Sequence, residues 1–171
     1  LMAVEVPAAR PRDPPQQVRE DEHPRADVTL ESLAKLKSLQ KDGVVTAGNA
    51  SGINDGAGAL LVGTKDMGEK LGLKPRARIV AGAVAGVEPR VMGLGPVPAA
   101  QKVLQRAGLQ LRDIDVLELN EAFATQVLGC LKMLQIPFDD GRINPNGGAI
   151  AIGHPLGASG IRLVLTALRQ L

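Results

Sequence analysis

Tryptophan and tyrosine are absent from this chain, and its only aromatic residues are Phe123 and Phe138. Any core must therefore be packed from Leu, Val, Ile and Ala, which favours closely opposed helices and sheets. Nucleic-acid surfaces interleave aromatics with a basic stripe, and neither is present. The 20 basic and 18 acidic residues are mixed along the chain and leave a net charge of +2. Cys130 is the single cysteine, which excludes an intrachain disulfide and a cysteine-based zinc site and points to a cytoplasmic protein. No apolar run reaches the length needed to span a bilayer, so no membrane partner is expected. The opening residues LMAVEVPAARPRDPP lack the apolar stretch of a signal peptide.

What the chain does contain is 171 residues, 44% of them apolar, enough for one domain with a real core. Residues 1–28 combine clustered prolines with a dense charge run, including Arg19, Glu20, Asp21, Glu22 and Arg25. That segment reads as an extended arm. Thr29 has the chemistry of an N-cap for a short helix carrying Leu30, Leu33, Leu36 and Leu39, closed by Asp42-Gly43. Strands are expected at Val44–Thr46, Ala59–Val62, Ala77–Val87 and Val116–Leu119. Helices are expected over Thr64–Leu71, Pro96–Ala107, Glu121–Leu134 and Ala158–Leu171. Gly72 and Gly108 serve as stops. Strands alternating with helices define an α/β layered fold. The chain begins on Leu1 with no element start and ends inside a helical pattern, as a piece of a longer polypeptide would.

The stretch with the most chemical character is NPNGGAIAIGHPLGASG, Asn144 to Gly160, with His154 between Gly153 and Pro155. Glycine lets backbone approach a ligand closely, and proline restrains the residue before it. An imidazole held on such a bend is suited to proton transfer, although a turn histidine bonded to backbone has the same sequence. The other histidine, His23, lies in the charged arm beside Pro24 and reads as solvated. Asn120 stands at a strand–helix junction, where it is either a helix N-cap or a side chain presented at a strand end. Cys130 lines up with Phe123, Val127, Leu131 and Leu134 on an apolar helix face and reads as core. Gly56-Ala-Gly58-Ala-Leu-Leu61 imitates a dinucleotide fingerprint, but Leu61 replaces the third glycine and a strand follows where a helix is required.

Four stretches taken together resemble the thiolase family: TAGNASGINDGA (Thr46–Ala57), VMGLGPVPA (Val91–Ala99), NEAFA (Asn120–Ala124) and NPNGGAIAIGHPLGASG. They stand in the family's order and at about its spacing, and the resemblance extends to the arm DEHPRADVTLESLAKL. It implies the end of the thiolase loop domain over residues 1–51 and an incomplete C-terminal βαβαββ half-domain over residues 52–171. It also implies an acyltransferase, a 3-ketoacyl-CoA thiolase working through a cysteine acyl-enzyme, with bacterial degradative enzymes the nearest in character. His154 is implied as the base that activates a nucleophilic cysteine, and Asn120 as the holder of a water in an oxyanion hole. Ser51, Ala47, Phe123 and Arg25 are implied to contact CoA, and Met92 to lie by the acyl pocket. Cys130 matches neither family cysteine, so the nucleophile is not in this chain. No metal or organic cofactor is implied. The partners are CoA and acyl-CoA, and the whole protein is implied to be a homodimer or homotetramer. The alternative is a non-catalytic thiolase-like protein that binds acyl-CoA or lipid.

Overall fold

The computed structural model describes residues 2–8, 10 and 12–170. A small antiparallel hairpin opens it, β1 (Val4–Val6) paired with β2 (Gln16–Val18), Glu5 opposite Gln17. The arm is thus extended as expected, but it folds back on itself. Helix α1 (Leu30–Ala34) starts at Thr29, whose hydroxyl accepts from Ser32 N while the Ser32 hydroxyl accepts from Thr29 N. It is a single turn and stops well short of Leu39.

Helix α2 (Lys65–Lys70) is capped by Thr64, which accepts from Met67 N. Helix α3 (Pro96–Ala107) begins on proline, whose missing N–H costs nothing in the first turn, and ends at Gly108 with φ +68°. Helix α4 (Ala124–Leu134) follows, then a single turn α5 (Ala149–Ile152) that the glycine-rich run concealed. Helix α6 (Leu156–Gln170) completes the order. A 3-10 segment over Pro89–Leu94 precedes α3 and was also not anticipated.

The four expected strands are corrected. Val44–Thr46, Ala59–Val62 and Ala77–Val87 are assigned to no strand. Val116–Leu119 contributes only an isolated parallel bridge between Leu117 and Ile143. The reason is that a strand exists only as one of a pair: among the described residues Ala59–Val62 and Ala77–Val87 have no strand beside them, while Val45 meets Leu39 and Leu117 meets Arg142–Asn144 through too few bonds to make a ladder. Their local character survives in part. Exposure alternates residue by residue over Ala81–Val87, the period of a half-buried strand. That segment lies along α3, whose Lys102 and Arg106 donate to Val84 O and Gly82 O at 3.3 and 2.7 Å. Large apolar side chains on these unpaired stretches, Leu61, Ile79 and Val84 among them, stand exposed.

The core sits under α4. Val127, Leu131 and Ile136 are buried together, with Leu111, Leu117, Leu119, Leu134 and Ile143 against them. Glu118, nearly buried, accepts from Arg162 at 3.3 Å and from Gln170 at 3.0 Å, tying α6 to the segment before Asn120. Asp140 and Arg142 close the loop after α4. The Asp140 carboxylate accepts from Arg142 Nη2 at 2.7 Å, and from its Nε and backbone N at 3.0 Å. Arg142 Nη1 also reaches Leu111 O and Ile114 O. These bonds hold the Asp140 carboxyl down to about 2 from its ordinary 3.8. A depressed folded value means that the contribution to stability is complete above the ordinary value and is lost as pH falls toward 2. Denaturant titrations from pH 5 to pH 2 should show a loss of stability that is shallower in Asp140→Asn. Equal slopes in the two proteins would remove this pair from the acid response.

Candidate active site

His154 lies between α5 and α6 and is held on every side. Gly153 precedes it at φ +94°, a backbone angle that favours glycine, and a Cβ there would also collide with Asn54. His154 N donates to Gly52 O and to Asn54 Oδ1, both at 3.2 Å, so the bend is stitched to the loop a hundred residues earlier. The ring is fixed at both nitrogens. Nδ1 is 2.6 Å from Ser159 Oγ, and Nε2 is 3.3 Å from Asn120 Nδ2.

Asn120 is not a helix cap. Helix α4 starts at Ala124 with Phe123 in the cap position, three residues beyond the junction. The expected start at Glu121 is therefore corrected, and the competition between capping and site falls away. The amide instead faces the imidazole, and its Oδ1 is buried without a partner among the described residues. A buried carbonyl that is left unpaired is costly, so such an atom marks a place where a small polar molecule can bind.

Two polar side chains with no role assigned from the sequence, Asn144 and Glu121, set this geometry. Asn144, 7% exposed and in the left-handed region at φ +42°, accepts from Leu119 N and donates to Leu119 O, both at 2.8 Å. It thus mimics a strand partner for the residue before Asn120. Glu121 accepts from Asn144 Nδ2 at 2.7 Å and from Ile150 N at 3.2 Å, reaching the start of α5. Gly148 must lack a side chain there, because a Cβ would overlap the Glu121 carboxylate. The NEAF and GHP stretches are thereby locked together. His23 belongs to this frame too, which corrects its reading as solvated: its Nε2 is 3.0 Å from Ile150 O.

The remaining candidates divide. Ala50 bridges Phe123 antiparallel, Ser51 N donates to Ala122 O at 3.0 Å and Ala124 N to Asn49 O at 2.8 Å. Ser51 and Phe123 therefore stand on paired backbone, with Phe123 44% exposed. Ala47 is exposed in the turn that leads into this pairing. Thr46 and Asn49 hold that turn, with Thr46 N donating to Asn49 Oδ1 and Gly48 N to Thr46 Oγ1. Arg25 is exposed on the arm and is not drawn into the pairing. Met92 is 77% exposed, so it is not a packing residue here. Cys130 is core as expected, with no exposed surface and its thiol donating to Gly93 O at 3.3 Å. Burial pushes that thiol up, with a smaller opposing effect from Gln126.

The imidazole of His154 and the amide of Asn120 thus face each other on backbone locked by buried polar contacts. The chain belongs to the thiolase family: the thiolase N-terminal domain model matches residues 3–66 and the thiolase C-terminal domain model residues 73–171. The 3-oxoadipyl-CoA/3-oxo-5,6-dehydrosuberyl-CoA thiolase of Escherichia coli K12 is 60% identical over 156 residues, 91% of this chain and 39% of that protein. A beta-ketoadipyl-CoA thiolase of Acinetobacter baylyi is 58% identical over 158 residues, 92% of this chain and 39% of that protein. Among solved structures, the Bacillus anthracis acetyl-CoA acetyltransferase aligns with a TM-score of 0.93 at 43% identity, covering 100% of this chain and 42% of that one. Human mitochondrial 3-ketoacyl-CoA thiolase in complex with CoA aligns with a TM-score of 0.87 at 49% identity, covering 91% and 39%. The mixed α/β fold is thus that of a thiolase. The chain spans about two fifths of the length of the relatives it matches. No described helix is long and apolar enough to cross a membrane.

Proposed function

We propose that this chain supplies the base and half of the oxyanion site of a cytoplasmic acetyl-CoA acyltransferase that cleaves 3-oxoacyl-CoA thioesters. The observation that carries the reading is the 3.3 Å approach of His154 Nε2 to Asn120 Nδ2. In the proposed reaction His154 takes the proton of a cysteine thiol contributed by sequence outside these residues. The thiolate adds to the C3 carbonyl of the substrate. Breaking the C2–C3 bond leaves an acyl-enzyme and the carbanion of acetyl-CoA, which is protonated at C2. The thiol of CoA then adds to the acyl-enzyme and, losing its proton, releases a shortened acyl-CoA and regenerates the enzyme thiol.

Once protonated, Nε2 stops accepting from Asn120 and becomes a donor to the thioester oxygen. Asn120 Oδ1, buried and without a partner among the described residues, accepts from a water whose second hydrogen points at that same oxygen. For CoA we assign Ser51, Ala47 and Phe123 along the paired loop, with Arg25 on the arm for the negatively charged nucleotide end. The names of the relatives favour a dicarboxylic 3-oxoacyl substrate such as β-ketoadipyl-CoA.

The test is a chimera in which this chain replaces the matching stretch of the E. coli 3-oxoadipyl-CoA thiolase. Thiolysis of β-ketoadipyl-CoA should be retained. Asn120→Ala should lower kcat by about 10²–10³, the usual cost of one oxyanion donor. A chimera that binds the thioester tightly yet never cleaves it would replace this reading with that of a non-catalytic acyl-CoA binder.

A further inference from the structure

A histidine free in water favours the form protonated at Nε2, which is the wrong nitrogen for a base that must accept there. The surroundings of Nδ1 reverse that preference. Ser159 Oγ is 2.6 Å from Nδ1 and 3.1 Å from Pro155 O, the carbonyl one turn back in the chain, while the residue itself is 3% exposed. A hydroxyl has one proton and two lone pairs. The Pro155 carbonyl, which also accepts from Ala158 N at 2.8 Å and Ser159 N at 2.9 Å, can only accept, and with the Ser159 hydroxyl donating to it the oxygen of Ser159 is left to accept from Nδ1–H. The other ring nitrogen agrees: the group facing Nε2 is the Asn120 amide nitrogen, a donor, which needs a lone pair opposite it.

We propose that Ser159 is a positioning residue that holds His154 in its Nδ1–H form, leaving Nε2 as the basic nitrogen directed at Asn120. The inference rests on His154 serving as the base in the proposed reaction. Its geometric content stands apart from that reaction, because the proton chain Nδ1–H to Ser159 to Pro155 O exists without substrate.

The chain has only two histidines, so long-range nitrogen–proton spectra of the histidine-labelled protein resolve each ring, with His154→Gln assigning the signals. The expected result is a protonated Nδ1 and a bare Nε2 for His154. In Ser159→Ala the population should move toward Nε2–H, and Ser159→Thr, which keeps the hydroxyl, should restore the original form. In the chimera Ser159→Ala should lower kcat by about 10–100-fold, the range for groups that orient a functional imidazole, with KM little changed. A wild-type His154 that carries its proton on Nε2 overturns the proposal, even if Ser159→Ala does not fold. So does a folded Ser159→Ala with unaltered tautomer and kcat. A chimera without thiolysis, in which His154 nonetheless shows Nδ1–H, sinks the acyl-transfer reading and leaves this one standing.

Discussion

Offered acetoacetyl-CoA and CoA, the 171-residue chain on its own should produce no measurable loss of the enolate absorbance. The chemistry needs a thiolate, and the chain has one thiol, that of Cys130. That thiol has no exposed surface, donates to Gly93 O, and is raised by burial away from the ionised state. It sits in the core face of α4 beside Val127 and Leu131, packed as a small apolar side chain. In the proposed reaction His154 and Asn120 polarise a thioester, and without a nucleophile they cannot carry an acyl group. Loss of a nucleophile from a cooperating set costs on the order of 10⁶ in turnover. Clear thiolysis by the isolated chain, lost in Cys130→Ala, would instead make Cys130 the nucleophile.

How much of this could be read from residues alone depends on how local the cause is. Thr29 and Gly108 act on neighbours within a turn, and the ends they mark are found where their chemistry puts them. The strand stretches could not be read so far, because Ala59–Val62 and Ala77–Val87 have strand composition yet no described segment pairs with them. The start of α4 was misplaced for a different reason. Asn120 is a good capping residue by type, but its side chain is engaged with a ring 34 residues away. His154 and Asn120 were legible through glycine density and motif. Their supports were not, since Asn54, Glu121, Asn144 and Ser159 are ordinary polar residues whose meaning lies in the long-range contacts they make. The available signal was their place beside or within the glycine-rich and NEAF runs, and it says where to look without saying what each touches.

In the chimera, His154→Ala should be the most damaging single change to this chain, and its pH dependence should separate the two tasks assigned to the ring. General-base help is typically worth about 10²–10⁴, and a hydrogen bond to the thioester oxygen about 10²–10³. Removing both should lower kcat/KM by about 10⁴–10⁷, because thiolate formation and oxyanion stabilisation both contribute to the same rate-limiting transition state. The base contribution is partly replaceable by solvent. A cysteine with an ordinary pKa near 8.5 gains thiolate about tenfold per pH unit until it is ionised. The activity of His154→Ala should therefore climb from pH 6 to about pH 8.5 and then level off. The oxyanion contribution cannot be recovered this way, because no hydroxide concentration supplies a donor at Nε2. The plateau of the variant should consequently remain about 10²–10³ below wild type. A variant that reaches the wild-type rate at high pH would reduce His154 to a base alone and remove it from the oxyanion site. A variant already equal to wild type at neutral pH would remove the imidazole from the reaction altogether, and with it the reason for the polar frame that holds it against Asn120.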